Sequence, residues 1–256
     1  MTGLASPGTA VVVTGGASGI GRASARALAE VGRPVAIWDV DAEVAATVAK
    51  DIASEFAVAT CSAGIDVRES ERFPAVVAAA REAVGPIGGF VHSAGVSHPV
   101  PIDALDVESW DLVLDINLRA YPLIIKALLS ELRSHAGSAI VGIASVNAIL
   151  GNGANPAYSA SKAGLLSVTR SLADGLAADG IRVNAICPGY IRTPMQDEPM
   201  ANVPGLEQAY ERQSMLGRMG EPEEIARVVR FLLSEEASFI TAEHVIVDGG
   251  VVPSQR

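Results

Sequence analysis

Between Ala10 and Gly32 the chain changes period across a run of glycines. Ala10 to Val13 (AVVV) is a short, unbroken apolar run, the pattern of a strand buried on both faces. Thr14-Gly15-Gly16-Ala17-Ser18-Gly19-Ile20-Gly21 follows, and then a helix-type run from Arg22 to Gly32. A strand, a glycine-rich turn and a helix N-terminus, in that order, make an anion site, because backbone N–H groups and the helix dipole converge there. In that geometry Gly15 permits the tight turn, Gly19 lets backbone approach a pyrophosphate, and Gly21 lets the helix pack close to the strand. Plain tight turns also carry glycine patterns. This one has a strand before it, a helix after it, and an acid further on.

That acid is Asp39, at the end of a second apolar run, Pro34 to Trp38. A carboxylate there accepts hydrogen bonds from both hydroxyls of an adenosine ribose and repels a 2′-phosphate. No Arg or Lys stands at Ser18 or Val40, where a phosphate clamp would sit. The reading is NAD rather than NADP. The competing role for Asp39, N-cap of the helix that follows, is better filled by Asp41.

A second stretch carries chemistry. Ala139 to Ala144 reads as a buried strand ending at Ser145, and a loop of Gly, Asn and Pro follows. A helix then begins with Tyr158 and Lys162 four residues apart, on one face. An ammonium beside a phenol is expected to bring its pKa down from about 10 toward neutrality, making a proton donor and acceptor. Ser145 would hydrogen-bond the oxygen being protonated. The bland alternative is an exposed Tyr and a solvated Lys. Against it, no Asp, Glu, Lys or Arg occurs from Ser134 to Ser161, so no local carboxylate competes for Lys162.

Composition narrows the partners. The net charge is −10 and no basic face is evident, which argues against nucleic acid. Cys61 and Cys187 lie far apart in apolar contexts and read as buried free thiols of a reducing compartment. The four histidines show no metal-ligand spacing. The opening MTGLASPGTA lacks the basic and apolar parts of a secretory signal, and the uncharged stretch from 134 to 161 is too rich in Gly, Asn, Ser and Pro to span a membrane. The expectation is a cytoplasmic protein without membrane partners.

Taken together, TGGASGIG at 14–21, Ser145, and Tyr158-Ser-Ala-Ser-Lys162 resemble the short-chain dehydrogenase/reductase family over essentially the whole chain. The resemblance implies an α/β fold: one Rossmann-type domain, 1–256, with a doubly wound parallel sheet of about seven strands and helices on both faces. Residues 1–8 would be a tail. It implies catalysis by Asn117, Ser145, Tyr158 and Lys162, with Asn117 in a kinked helix whose freed carbonyl holds a proton-relay water. It implies cofactor contacts from Gly15, Ser18, Gly19, Ile20, Gly21 and Asp39, from Asp66 and Val67 at the adenine, from Ala94 and Gly95, and from Tyr158 and Lys162. Pro188, Gly189, Ile191 and Thr193 would hold the nicotinamide end. A homotetramer or homodimer is also implied. The chain departs from the family's usual Asn-Asn-Ala-Gly at His92-Ser93-Ala94-Gly95. His92 then reads as a hydrogen-bonded buried histidine.

The remaining elements follow from periodicity: a third strand from about Ala57 to Ile65, a helix over 68–84, a fourth strand from Gly89 to Val91, and a long helix from Val107 to Leu132 with Asp106 as N-cap. A strand from Gly180 to Ile186, a helix opening at Pro222 and a last strand from His244 to Val247 complete the set. Residues 195–217 are weakly patterned and sit where a mobile lid would lie. Met195, Met200, Leu206, Tyr210, Met215 and Leu216 either line a substrate pocket there or pack the lid to the body. The activity implied is hydride transfer between NAD(H) and a secondary alcohol or ketone, with Tyr158 as general acid/base. Two alternatives stand beside it: an NADPH-dependent reductase of 3-oxoacyl thioesters on acyl-carrier protein, and a non-catalytic dinucleotide sensor or scaffold.

Overall fold

The computed structural model describes residues 7–254, so most of the expected tail lies outside the described residues. Seven parallel strands form one sheet: β1 (Ala10–Thr14), β2 (Val35–Asp39), β3 (Thr60–Gly64), β4 (Ile87–His92), β5 (Ala139–Ile143), β6 (Arg182–Pro188) and β7 (His244–Val247). Their order is β3-β2-β1-β4-β5-β6-β7. The chain therefore winds outward in one direction from β1 and then in the other from β4. The loops after those two strands part at the carboxyl edge, which opens a crevice there.

Two-sided burial explains the unbroken apolar runs. Val11 and Val13 face one core with Leu28 and Ala25 of α1 (Gly19–Ala29), Ala45 and Ile52 of α2 (Ala42–Phe56), and Val229 of α9 (Pro222–Leu232). Ala10 and Val12 face the other, with Val77 of α3 (Phe73–Val84), Ile124 and Leu128 of α5 (Ala120–Arg133), and Leu165 of α6 (Pro156–Leu176). The doubly wound α/β sheet is thus the fold that forms. β3 and β7 differ from the expected pattern. As edge strands they are half-buried, so Cys61 on β3 is only partly buried whereas Cys187 on β6 is fully so.

Boundaries moved where backbone geometry intervened. The third strand begins at Thr60 rather than Ala57, because Ala57 sits at φ +56 and closes α2. Asp41 caps α2 as expected, accepting from the Val44 N–H at 3.0 Å. The helix expected over 68–84 opens with a 3₁₀ turn, Ser70–Arg72, before α3. The long helix is α4 (Val107–Leu114), a π segment from Asp115 to Arg119, and α5. The weakly patterned lid is two short helices, α7 (Pro194–Asn202) and α8 (Leu206–Gln213).

Candidate active site

A cleft of about 430 Å³ opens at the carboxyl edge, where the loops after β1 and β4 diverge. Gly15, Ser18, Gly19 and Ile20 of the first turn line one end. Gly15 adopts φ +64, and a Cβ there would lie 2.7 Å from the Ala94 nitrogen, so the turn and its close neighbour both require glycine. Gly21 lies outside the cleft wall. A Cβ on it would fall 2.0 Å from the Gly15 carbonyl oxygen, which makes it the point of closest packing between α1 and the turn. Ser18, the N-cap of α1, makes no side-chain cap bond. The leading N–H groups of α1 therefore suit an anion.

At the end of β2 the Asp39 carboxylate is fixed by two backbone donors, the Ala17 N–H at 3.0 Å and the Asp41 N–H at 3.2 Å. Spare lone pairs remain on both oxygens. Asp66 and Val67 line the same end. Asp66 is not free: the Arg68 guanidinium binds both its oxygens, and that pair holds the Asp66 carboxyl below its usual range. Arg68 is a cleft residue that sequence reading missed. Its signal, a base two residues beyond the acid, was visible at Asp66-Val67-Arg68.

The far end of the cleft gathers Ser145, Tyr158 and Lys162. Ser145 follows β5 and accepts from the Asn147 N–H at 3.1 Å. Tyr158 and Lys162 lie in the first turns of α6, whose N-cap Asn155 accepts from the Tyr158 N–H at 3.3 Å. Asn155 also donates to Ser97 Oγ at 3.1 Å, tying the helix start to the loop after β4. Sequence reading took Asn155-Pro156 only as loop, although Asn before Pro is a helix-start signal.

The electrostatics correct one expectation. The Lys162 ammonium lies 5.5 Å from the Tyr158 ring centroid and donates to the Ile143 carbonyl at 2.8 Å, rather than pairing with the phenol oxygen. Burial pushes the Tyr158 pKa above its ordinary value, and a hydrogen bond with Ser145 pulls partly the other way. Burial also draws Lys162 down to about 8. Desolvation, which spacing along a helix does not reveal, outweighs attraction here. The phenol is protonated at neutral pH.

Asn117 does not line the cleft. It is fully buried in the π segment, where its Oδ1 accepts from the Val96 N–H at 2.8 Å and its Nδ2 donates to the Val96 carbonyl at 3.0 Å and to Ser161 Oγ at 3.1 Å. It thereby joins the loop of Ala94 and Gly95, both cleft residues, to the helix of Tyr158 and Lys162. The expected kink is the π segment itself, where the Ala120 N–H reaches back to the Asp115 carbonyl. His92, at the end of β4, is buried with Nδ1 3.1 Å from Thr14 Oγ1, and burial lowers its pKa to about 3.

Pro188, Gly189, Ile191 and Thr193 also line the cleft, with Thr193 close against Gly19 of the glycine turn. Gly189 donates to the Val247 carbonyl at 3.1 Å, and Ile191 bridges to Gly220, which fixes this segment to the body. Of the lid residues, Met195 lines the cleft, together with Gln196, which sequence reading missed. Tyr210 packs the lid to the body by stacking on Tyr190, centroids 3.9 Å apart, while Leu216 is exposed. Among the described residues no cluster of His, Cys, Asp or Glu is placed to hold a metal, and no helix is long and apolar enough to cross a membrane.

The chain has clear relatives. A family model described as enoyl-(acyl carrier protein) reductase matches residues 15–252. Cis-4-hydroxycyclohexanecarboxylate dehydrogenase of Sinomonas cyclohexanicum is 38% identical over 240 residues, covering 93% of this chain and 94% of that one. The 3-oxoacyl-[acyl-carrier-protein] reductase of Aquifex aeolicus is 36% identical, covering 95% and 97%. A solved structure of a short-chain dehydrogenase/reductase, glucose/ribitol dehydrogenase, from Brucella melitensis superimposes with a TM-score of 0.88 at 34% identity, covering 97% and 98%. A sheet wound from β1 and β4, a glycine turn hydrogen-bonded to an acid at one end of a cleft, and relatives along nearly the full length lead to one conclusion: the chain belongs to the short-chain dehydrogenase/reductase family and is an oxidoreductase acting on alcohol or ketone groups.

Proposed function

We propose that this single-domain enzyme uses NAD(H) to interconvert a secondary alcohol and its ketone, with Tyr158 as general acid/base. The observation that carries this is the convergence of Ser145, Tyr158 and Lys162 at one end of a cleft whose other end is the glycine turn and Asp39. The cleft residues fit a dinucleotide: open helix N–H groups for a pyrophosphate, and a fixed carboxylate for a ribose diol. Bound there, the nicotinamide would supply or accept the hydride.

The chain's own residues divide the rest. Tyr158 gives its proton to the substrate oxygen in reduction and takes it back in oxidation. Ser145 holds that oxygen by hydrogen bond and steadies its developing charge. Lys162 keeps a positive charge beside the phenol and is positioned to bond a ribose hydroxyl. Asn117 sets the loop and the helix in register, and the π segment around it supplies the carbonyl for a proton relay. Asp66 keeps lone pairs for an adenine amino group despite Arg68.

Asp39 favours NAD over NADP, because a 2′-phosphate would meet a carboxylate. Arg68, the nearby base, is committed to Asp66. The reductase of acyl-carrier thioesters is favoured by the Aquifex aeolicus relative. Of the three arginines near the lid, two count against it, Arg192 being paired with Glu207, Glu211 and Glu221 and Arg218 with Glu224, which leaves the exposed Arg212 to attract an acidic carrier. The homotetramer is supported by the open edge of β7, by exposed Ile246 on that strand and by exposed Phe239, which precedes it in the chain. We place the enzyme in the cytoplasm.

A screen of cyclic and polyol secondary alcohols with NAD, beside 3-oxoacyl thioesters with NADPH, tests the reading. Turnover of alcohols with NAD is expected. Turnover of thioesters with NADPH alone would replace this reading with the other.

A further inference from the structure

Both backbone groups of Tyr158 carry a hydrogen bond from a side chain. Its N–H donates to Asn155 Oδ1 at 3.3 Å, and its carbonyl accepts from Ser161 Oγ at 2.7 Å. Each of those side chains reaches onward. Asn155 Nδ2 donates to Ser97 Oγ at 3.1 Å, and Ser161 Oγ accepts from Asn117 Nδ2 at 3.1 Å. Asn117 in turn holds Val96 at its N–H, 2.8 Å, and at its carbonyl, 3.0 Å. Val96 and Ser97 are neighbours in the chain, so the bonds close into a circuit. It runs from the helix of the phenol to the loop after β4 and back, and Val96 is part of the cleft wall.

The circuit leaves its amides no choice of orientation. The Tyr158 N–H needs an acceptor, which turns Asn155 Oδ1 toward it and the NH2 toward Ser97. The Val96 N–H does the same for Asn117, whose amide hydrogens go to Val96 and Ser161. Asn117 and Ser161 are fully buried and Asn155 is 3% exposed, so a lost partner leaves a polar group unpaired away from water. Of the members, only Ser97 is exposed. Helix capping accounts for the bond from Asn155 to the Tyr158 N–H. It does not account for the second bond, to a residue 58 positions earlier.

We propose that Asn155 is a positioning residue: by joining the Tyr158 N–H to Ser97 it closes the circuit, and so fixes where the phenol stands relative to the cleft wall at Val96. The kinetic consequence rests on the reading of Tyr158 as general acid/base; the circuit does not. A reacting group misplaced by about 1 Å costs about 10² in rate, so a loosened circuit reads out in kcat.

The test opens the circuit at Ser97, its exposed member, and leaves the cap in place. In Ser97→Ala, amide hydrogen exchange followed by NMR is expected to quicken at least about fivefold at Tyr158, on the far side of Asn155. Ser97→Thr keeps the hydroxyl and is expected to restore the slow exchange. In steady-state kinetics with NAD and the secondary alcohol turned over best, Ser97→Ala is expected to lower kcat about tenfold at unchanged coenzyme KM, and Ser97→Thr to keep it within about twofold. Asn155→Ser keeps an N-cap but is too short to reach Ser97, so it is expected to match Ser97→Ala, and the double variant to lose no more than either alone. Unchanged Tyr158 exchange or unchanged kcat in Ser97→Ala, or losses that multiply in the double variant, overturns the proposal and leaves Asn155 a helix cap. The exchange arm needs no turnover, so with a chain that does not transfer hydride that arm alone decides.

Discussion

A lysine ammonium closed to water needs something to hold its charge, and at Lys162 the partner is a single carbonyl, that of Ile143. This is why its pKa falls to about 8 and why, with Tyr158 pushed upward, the phenol is the resting form. The direction has a kinetic sign. Reduction of a ketone needs the protonated phenol, which is present throughout the neutral range. Oxidation needs the phenolate, which grows only as pH rises. Measured as kcat/KM from about pH 6 to about pH 10, the oxidation rate is therefore expected to climb on the alkaline side while reduction does not. Equal and flat profiles would contradict the proton assignment. Asp39 makes a second prediction at this scale. Its carboxylate is held in place by the Ala17 and Asp41 N–H groups, so its charge stands at a defined point. Asp39→Ala is expected to narrow the ratio of NADPH to NADH dissociation constants by at least about tenfold, read by fluorescence titration. An unchanged ratio would mean another group sets the preference.

Among the elements, α9 shows how distant chain segments are locked. Its C-terminal carbonyls receive Arg33, donating to Leu233, and Arg182, donating to Leu232 and Ser234. Arg33 is fully buried, and burial lowers its pKa to about 10, so it stays charged at neutral pH. Charged donors at a helix C-terminus satisfy orphan carbonyls and oppose the dipole. Arg33→Met is expected to cost about 2–4 kcal/mol in urea unfolding with NADH affinity unchanged, since the site is remote from the cleft. A cost below about 1 kcal/mol would show these bonds to be replaceable by water. The lid helix α8 is fastened differently, by exposed ion pairs from Arg192 to Glu207 and Glu211 and by the Tyr190–Tyr210 stack. Screening weakens such pairs, so Arg192→Ala is expected to raise substrate KM several-fold and to remove most of its salt dependence. A salt dependence equal in both proteins would point to charges elsewhere. Elements of this kind differ in how far the sequence reveals them. α2 was readable because Asp41, its cap, is a local signal. The π segment is not readable from period, because Asp115 to Arg119 fits an α-helical one; only the resemblance pointed to a kink at Asn117. Cys61 reads as buried from its apolar context and is only partly so, because residue type does not say that β3 ends at a sheet edge.

At the scale of the molecule, one topological fact places the chemistry. β1 and β4 are neighbours in the sheet but not in the chain, so the loops after them diverge over a crevice that both must line. The glycine turn, Asp39, Ser145, Tyr158 and Lys162 were legible as a set because each sits at the carboxyl end of a strand or the start of a helix, where local motifs are strong. What was hidden depends on three-dimensional neighbours: the burial of Lys162 beside Tyr158, the Arg68 that occupies Asp66, and the complete burial of His92. Assembly belongs to this scale too. Light scattering is expected to report a homotetramer, and replacing exposed Phe239 and Ile246 with charged residues is expected to shift it to smaller species. A monomer before any substitution would remove that proposal. The most direct check of the whole scheme is Tyr158→Phe, assayed for turnover and for NADH binding in the same preparation. Turnover is expected to fall by about 10²–10⁴ while the NADH dissociation constant stays within a few-fold. Turnover near that of the unaltered enzyme would contradict Tyr158 as the acid and base.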